Sequence, residues 1–288
     1  MTTLWSGLSD GALYALVGVG YNVVLLASGV FNFANAQLIM LGTYLAYFAA
    51  VTLKLPLVPT ILIGALAVSL VAVVEERVAI RPLMGRRDSH ATLITSVGVA
   101  VALDGIVLRI WGSQPLTVPA PLSSKPLNLL GGTIEPTALL LIVLVVVLGL
   151  GLHVLSKKTI VGLASLASAE DREAAMARGV NVRMLAIGAF ALAGLIAGAF
   201  GVVVGSGTYA NPGLGDNLAL FGFVAIAIGG SGSQIGSLIG GFATGIIYAE
   251  VSRYTNADWP QIVVFALFLL ILLTRPRGLF GGAVERQV

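Results

Sequence analysis

Long apolar blocks separated by short polar breaks set the pattern of this chain, with segments at 6–27, 38–53, 57–75, 91–111, 136–155, 184–206, 218–230, 235–250 and 260–274. About 20 apolar residues cross a bilayer as a helix, and no stretch alternates in the manner of a barrel strand. The pattern predicts an all-α integral membrane protein with eight or nine transmembrane helices. The count turns on 218–230 and 235–250, which are short for full spans. Gly229, Gly230, Ser231, Gly232 and Ser233 separate them, so they read as a broken or tilted helix pair. Non-helical backbone at membrane depth must be buried in protein or line a wet cavity, and this places those five residues beside a pathway.

One polar island breaks the pattern. Between Ser156 and Arg183 lie Glu170, Asp171, Arg172, Glu173, Arg178 and Arg183. Moving these six charges into hydrocarbon would cost on the order of 10–20 kcal/mol, so the segment lies in water or at the interface. Ser168 followed three residues later by Asp171 reads as a capping-box-like start, and Glu170 and Glu173 fall in the first turn. Arg178 suits the last turn, and Gly179 the left-handed position beyond it. The expectation is a capped helix over 168–179, roughly 16 Å long at 1.5 Å per residue. Its small-sided interior of Ala174, Ala175, Met176 and Ala177 would let a partner approach closely. The plainer reading is a solvated helix linking two spans.

Composition agrees with the pattern: 57% of the 288 residues are apolar and only 10% charged, against about 25% charged in soluble domains. The net charge of +3 does not form a basic stripe for nucleic acid. Positive residues cluster at Arg77/Arg81/Arg86/Arg87, Lys157/Lys158/Arg172/Arg178/Arg183 and Arg275/Arg277. The positive-inside bias makes those ends cytoplasmic, with the N-terminus outside and the C-terminus inside. The Pro-rich loop 112–135, with its lone Lys125, then falls outside. The first basic residue is Lys54, which argues against a cleaved leader. Cysteine is absent, which removes disulfides and thiolate chemistry.

Polar residues inside the apolar blocks are the binding candidates. Asn22 lies late in the first block, and Asn32, Asn35 and Gln37 occupy the break before the second. A broken helix that exposes amides is a common cradle for a small polar solute, although each residue alone would equally serve interhelical hydrogen bonding. Asp104 is an intramembrane carboxylate and therefore costly, and a loose local pair with Arg109 is one way to hold it. His90 and His153 sit at block ends and read as interfacial. Gly194/Gly198, Gly201/Gly205 and Gly232/Gly236/Gly240 recur at a spacing that lets helix backbones pack closely in lipid.

Chemistry of its own is not expected of this chain. None of its four lysines follows a glycine as a phosphate-cradling Gly-x-x-x-x-Gly-Lys loop requires. The two histidines offer neither a His-Glu-x-x-His metal site nor a nucleophile triad. No catalytic residue, metal site or cofactor is predicted.

Several stretches carry a family resemblance. Glu173, Ala174, Ala175 and Gly179 match the Glu-Ala-Ala-x-x-x-Gly core by which ABC-transporter permeases grip their ATPase, while the downstream Ile-x-Leu-Pro element is missing, with only Ile187 nearby. Gly11, Ala12, Tyr14, Ala15 and Leu16, then Phe31, Asn32, Phe33, Ala34, Leu41 and Gly42, resemble the N-terminal pattern of permeases of the branched-chain amino-acid (LIV-type) ABC importers. Asn35, Ala36 and Gln37 stand where many members have His, Gly and Glu. The run Gly229 to Gly241 is similar to that family's Gly-Gly-x-Gly-Ser-x-x-Gly-x-x-x-Gly-Gly signature, and Arg275, Pro276, Arg277, Gly278, Leu279, Phe280 and Gly281 to its tail.

The resemblance implies a single permease domain over 1–288 with a cytoplasmic coupling loop over 164–183, in a bacterial cytoplasmic (inner) membrane. Ser168, Glu170, Asp171, Glu173, Ala174, Ala175, Arg178 and Gly179 would engage the ATPase. Implied partners are a second, related permease forming a heterodimer, two ATP-binding subunits that hydrolyse ATP, an extracytoplasmic solute-binding protein and membrane lipid. The implied cargo is a branched-chain or related amino acid, with urea, short amides or aromatic acids as alternatives. An ion-coupled transporter or channel would predict more intramembrane carboxylates than one Asp, and a membrane enzyme would turn over a lipid-soluble substrate unaided.

Overall fold

The computed structural model describes residues 1–83, 89–122, 125–256, 259–275 and 278–281. Arg86, Arg87, Pro276 and Arg277 lie outside the described residues, as does the His90 side chain. The helices are α1 (Thr2–Ser28), α2 (Asn35–Tyr47, continued by a π turn Phe48–Thr52), α3 (Leu57–Glu75, extended by further helical turns to Leu83), α4 (Ser89–Trp111), α5 (Pro136–Lys158), α6 (Ile160–Glu170), α7 (Arg172–Ala177), α8 (Val182–Thr208), α9 (Leu214–Gly229), α10 (Gln234–Tyr254) and α11 (Trp259–Thr274). Among the described residues, α1, α3, α4, α5, α8 and α10 are long and apolar enough to cross a membrane, and α6, α9 and α11 are shorter apolar helices. The chain is an all-α, multi-pass integral membrane protein. Its one sheet among the described residues is a hairpin, β1 (Leu127–Leu129) and β2 (Gly132–Ile134), with Leu127 opposite Ile134, in the Pro-rich loop 112–135.

The described chain forms two compact units, one of Met1–Asn22, Lys125–Val180 and Leu220–Val288, the other of Val23–Ser124 and Asn181–Ala219. In the second unit the glycines of α8 set the packing. A methyl group built on Gly198 would fall on the Gly64 carbonyl of α3, and one on Gly194 would meet the Val68 carbonyl oxygen at 2.7 Å. Gly201 faces the Gly42 carbonyl of α2, while a methyl on Gly42 would lie 2.6 Å from the Ala197 carbonyl oxygen. Ser69 Oγ adds a hydrogen bond to the Ala191 carbonyl at 2.9 Å. Close backbone approach replaces side-chain interdigitation here, because lipid offers helices no hydrophobic drive to associate.

The first unit repeats the device on α10. Gly241 and Gly245 abut Ala15 and Gly11 of α1, and Gly236 and Gly240 abut Gly229 and the Ala225 carbonyl of α9. Tyr14 stacks on Phe221 at 4.6 Å, and Phe221 meets Tyr248 edge-on at 5.3 Å. The expected pair at 218–250 is a helical hairpin broken where expected, at the turn 230–233: α9 has 16 residues and is short, whereas α10 has 21, a full crossing length. The last carbonyls of α9 do not need a wet cavity. Leu279 N–H donates to the Ile228 carbonyl at 2.8 Å and Phe280 N–H to Gly229 at 2.9 Å.

Candidate functional site

Three polar constellations and one exposed segment gather the residues singled out in the sequence. The first surrounds Asn22 in α1, which is fully buried. Its Nδ2 donates to Ser237 Oγ at 2.7 Å and to the Ser233 carbonyl at 3.0 Å, and its Oδ1 accepts from Gly232 N–H at 2.7 Å. Gly230 and Gly232 sit at φ +106° and +88°, a region open to glycine at little cost. Ser233 caps α10 by accepting from Gly236 N–H at 3.0 Å, and Ser231 alone of the four turn residues is well exposed. Both polar groups of Asn22 are therefore engaged in pinning the turn.

The second constellation is the start of α2. Asn32 Oδ1 accepts from Ala34 N–H at 3.0 Å and Phe33 N–H donates to Ser96 Oγ at 3.3 Å, so the break between α1 and α2 is a built turn. Asn32 faces the carboxyl of Glu75, a buried residue at the end of α3. Asn32 Nδ2, Asn35 Oδ1 and both Glu75 oxygens lack a partner of good hydrogen-bond geometry. The adjacent Glu76 is buried and ion-paired with Arg81 at 3.1 Å.

One turn further along α2, Gln37 Nε2 donates to Asp216 Oδ1 at 3.1 Å, and Asp104 of α4 faces both residues. Gln37 is 2% exposed, Asp104 half-buried and Asp216 open. A side chain on Gly215 would strike the Gln37 amide, its Cβ falling 2.9 Å from Gln37 Cγ, so glycine is what lets α9 begin here. The local Asp104–Arg109 pair does not form: Arg109 is exposed, and the side chains facing Asp104 come from α2 and α9, because five residues along a helix turn the two side chains well apart. Asp216 and Glu75 escaped the sequence reading since each lies close to the end of an apolar block, where a carboxylate reads as an ordinary interface charge. Asp10, Glu75 and Glu76 also lie on helices of crossing length.

The exposed segment is α6–α7. Ser168 does not start the helix; it is buried within α6. Asp171 is the cap instead, in extended geometry, its Oδ1 accepting from Ala174 N–H at 2.9 Å. The apolar run from Ile160 carries helix past Ser168, and the break comes where a short acidic side chain can satisfy the next N–H. The helix so capped has 6 residues rather than the three turns expected. Its far end follows the reading: Gly179 has φ +86°, Gly179 N–H donates to the Met176 carbonyl at 2.9 Å and Val180 N–H to Ala175 at 3.0 Å. That is the Schellman pattern. Glu170, Asp171, Glu173, Ala174 and Arg178 are exposed and Ala175 is buried. Met176 and Met184 add exposed apolar surface.

No group of three or more His, Cys, Asp or Glu suited to a metal ion occurs among the described residues.

A family profile described as branched-chain amino acid transport system / permease component matches residues 3–272. The chain is 29% identical over 299 residues to the high-affinity branched-chain amino acid transport system permease protein BraD of Pseudomonas aeruginosa, covering 99% of this chain and 97% of BraD. It is 28% identical to the corresponding protein LivH of Escherichia coli, over 99% of this chain and 96% of LivH. A more remote relative, the ribose import permease protein RbsC of Haemophilus influenzae, is 23% identical over 92% of this chain and 81% of its own length. No solved structure matches the chain significantly.

Proposed function

The chain belongs to the family of branched-chain amino acid transport system permease components, and from that premise we propose that it is the permease subunit of an ATP-driven importer of branched-chain or related amino acids. It forms half of a translocation pathway in a bacterial inner membrane, opposite a second, related permease. Two ATP-binding subunits drive it from the cytoplasm, and an extracytoplasmic binding protein delivers the solute. Charge bias orients it with the N-terminus outside and the C-terminus in the cytoplasm.

The observation that carries the reading is the end-to-end family match over 3–272. The exposed α7, closed at one end by Asp171 and at the other by Gly179, supports α6–α7 as the coupling surface. A helix with both ends satisfied can transmit a push without fraying. Movement of the ATPases against α7 would tilt the attached α5 and α8 and alternate access to the pathway. Urea, short amides and aromatic acids remain the alternative cargo.

Co-purification of tagged chain with an ATPase, followed by ATP-dependent uptake of leucine, isoleucine or valine by the reconstituted assembly, tests this function. Absence of any bound ATPase, together with uptake that survives ATP depletion, would overturn it in favour of an ion-coupled carrier. Coupling is tested separately by Gly179→Leu. A Cβ at Gly179 meets nothing within 4 Å among the described residues, so the substitution acts through the left-handed backbone and on whatever docks there. ATPase binding and uptake should fall at least tenfold with insertion intact, while Gly179→Asn, which tolerates the conformation, should retain most of both.

A further inference from the structure

The Gln37–Asp104–Asp216 constellation is unusual in what it lacks. Two carboxylates lie close enough to repel, yet among the described residues no Lys or Arg is paired with either. Gln37 supplies one N–H to Asp216 and turns its amide toward Asp104 as well, while Gln37 Oε1 and Asp104 Oδ1 are buried acceptors without a partner of good hydrogen-bond geometry. Such orphans are costly in a protein interior, and a side chain as enclosed as Gln37 has no solvent to repair the loss. All the unsatisfied groups are acceptors, and the negative charge of the carboxylates is uncompensated. The constellation therefore asks for a cation with hydrogens to donate.

The absence of a third carboxylate or a histidine from the set disfavours a divalent metal, which takes more oxygen ligands. A primary ammonium fits better: it carries one positive charge and three N–H donors, to set against the acceptors of Gln37, Asp104 and Asp216. Asp216 is exposed, which leaves the cluster an open side for arrival, while Gly215 lets the α9 backbone pack directly on Gln37 and so holds Asp216 beside it. We propose that Gln37, Asp104 and Asp216 form a binding site for the ammonium group of the transported solute. This rests on the importer reading for the identity of the solute as an amino acid, but the site itself does not. It also gives the amide at position 37, where the resemblance leads one to expect Glu, a use: Gln37 contributes an acceptor and orients Asp216 without adding a third negative charge.

The test uses the full chain in lipid nanodiscs, with thermal unfolding read against isopentylammonium chloride, sodium 4-methylpentanoate and sodium chloride at equal concentrations. The amine should raise the unfolding midpoint by about 3 °C at saturation, and the other two should give less than a third of that. Asp104→Asn and Asp216→Asn should each weaken the amine response at least tenfold in concentration. Gln37→Glu should strengthen it severalfold, a gain that a misfolded variant does not produce. An equal shift with 4-methylpentanoate would show that the apolar skeleton is what binds, and an equal shift with sodium chloride that an inorganic cation suffices. Either result, or an unchanged response in both Asp→Asn variants, overturns the site. The assay needs neither ATPase nor transport. An amine response without ATP-driven uptake would therefore remove the importer reading and leave the site, and uptake without a response the reverse.

Discussion

Asn22 and Gln37 are both amides enclosed by helices, and they differ in what their polar atoms do. Asn22 engages its donor and its acceptor with Gly232, Ser233 and Ser237. Gln37 donates once to Asp216 and leaves its acceptor unpartnered. Enclosure alone therefore does not separate a structural amide from a candidate binding amide, whereas a count of used and unused hydrogen-bonding groups does. By this measure Asn22 belongs to the architecture of the α9–α10 hairpin, and Gln37 to the residues with capacity left for a solute.

The comparison breaks most readily at Asn22. Asn22→Leu removes three hydrogen bonds and strands Gly232 N–H, so it should destabilise the purified chain by about 2–3 kcal/mol, read as a lowered midpoint of denaturant unfolding. A midpoint unchanged within error would mean that the turn holds itself. Gly232→Val leaves Asn22 in place but forces a branched side chain to φ +88°, and about 1–2 kcal/mol should be lost on the same measurement. Ser237→Ala is smaller still, below about 1 kcal/mol, since Asn22 Nδ2 keeps the Ser233 carbonyl; a loss as large as that of Asn22→Leu would place the main anchor at Ser237. Gln37→Leu should shift stability least, by about 0.5 kcal/mol or less, because it deletes an orphan acceptor along with one bond to an open carboxylate. If the importer reading holds, the same variant should cut amino-acid uptake at least tenfold. Marked destabilisation with normal uptake would reverse the roles assigned to the two amides.

Much of this was legible in the chain. Apolar blocks predict helices because the bilayer imposes a length, and the starts of α3, α5 and α11 fall within a few residues of the expected positions. Gly179 is readable because few other residues fit its backbone. The start of α7 is harder, since both Ser168 and Asp171 are good caps. What decides between them is the apolar run of α6, which carries helix beyond Ser168. The acceptor cluster is hardest of all: Gln37 and Asp216 are separated by 179 positions, and no local pattern signals that α2 and α9 bring them together. The glycines of α8 are intermediate. Their spacing announces close packing, but Gly42 and Gly64 as the surfaces they meet emerge only from the fold.

The bonds of Asn22 also have a consequence for biosynthesis. Its nearest partner in sequence lies 210 residues downstream. At a synthesis rate of about 5–20 residues per second, roughly 10–40 s pass between the appearance of the amide and that of its partners. Through that interval α1 holds a fully polar group with nothing of its own to satisfy it. The first helix must therefore wait beside water, the insertion machinery or a temporary neighbour, and it becomes a settled part of the protein only after the α9–α10 hairpin has been made.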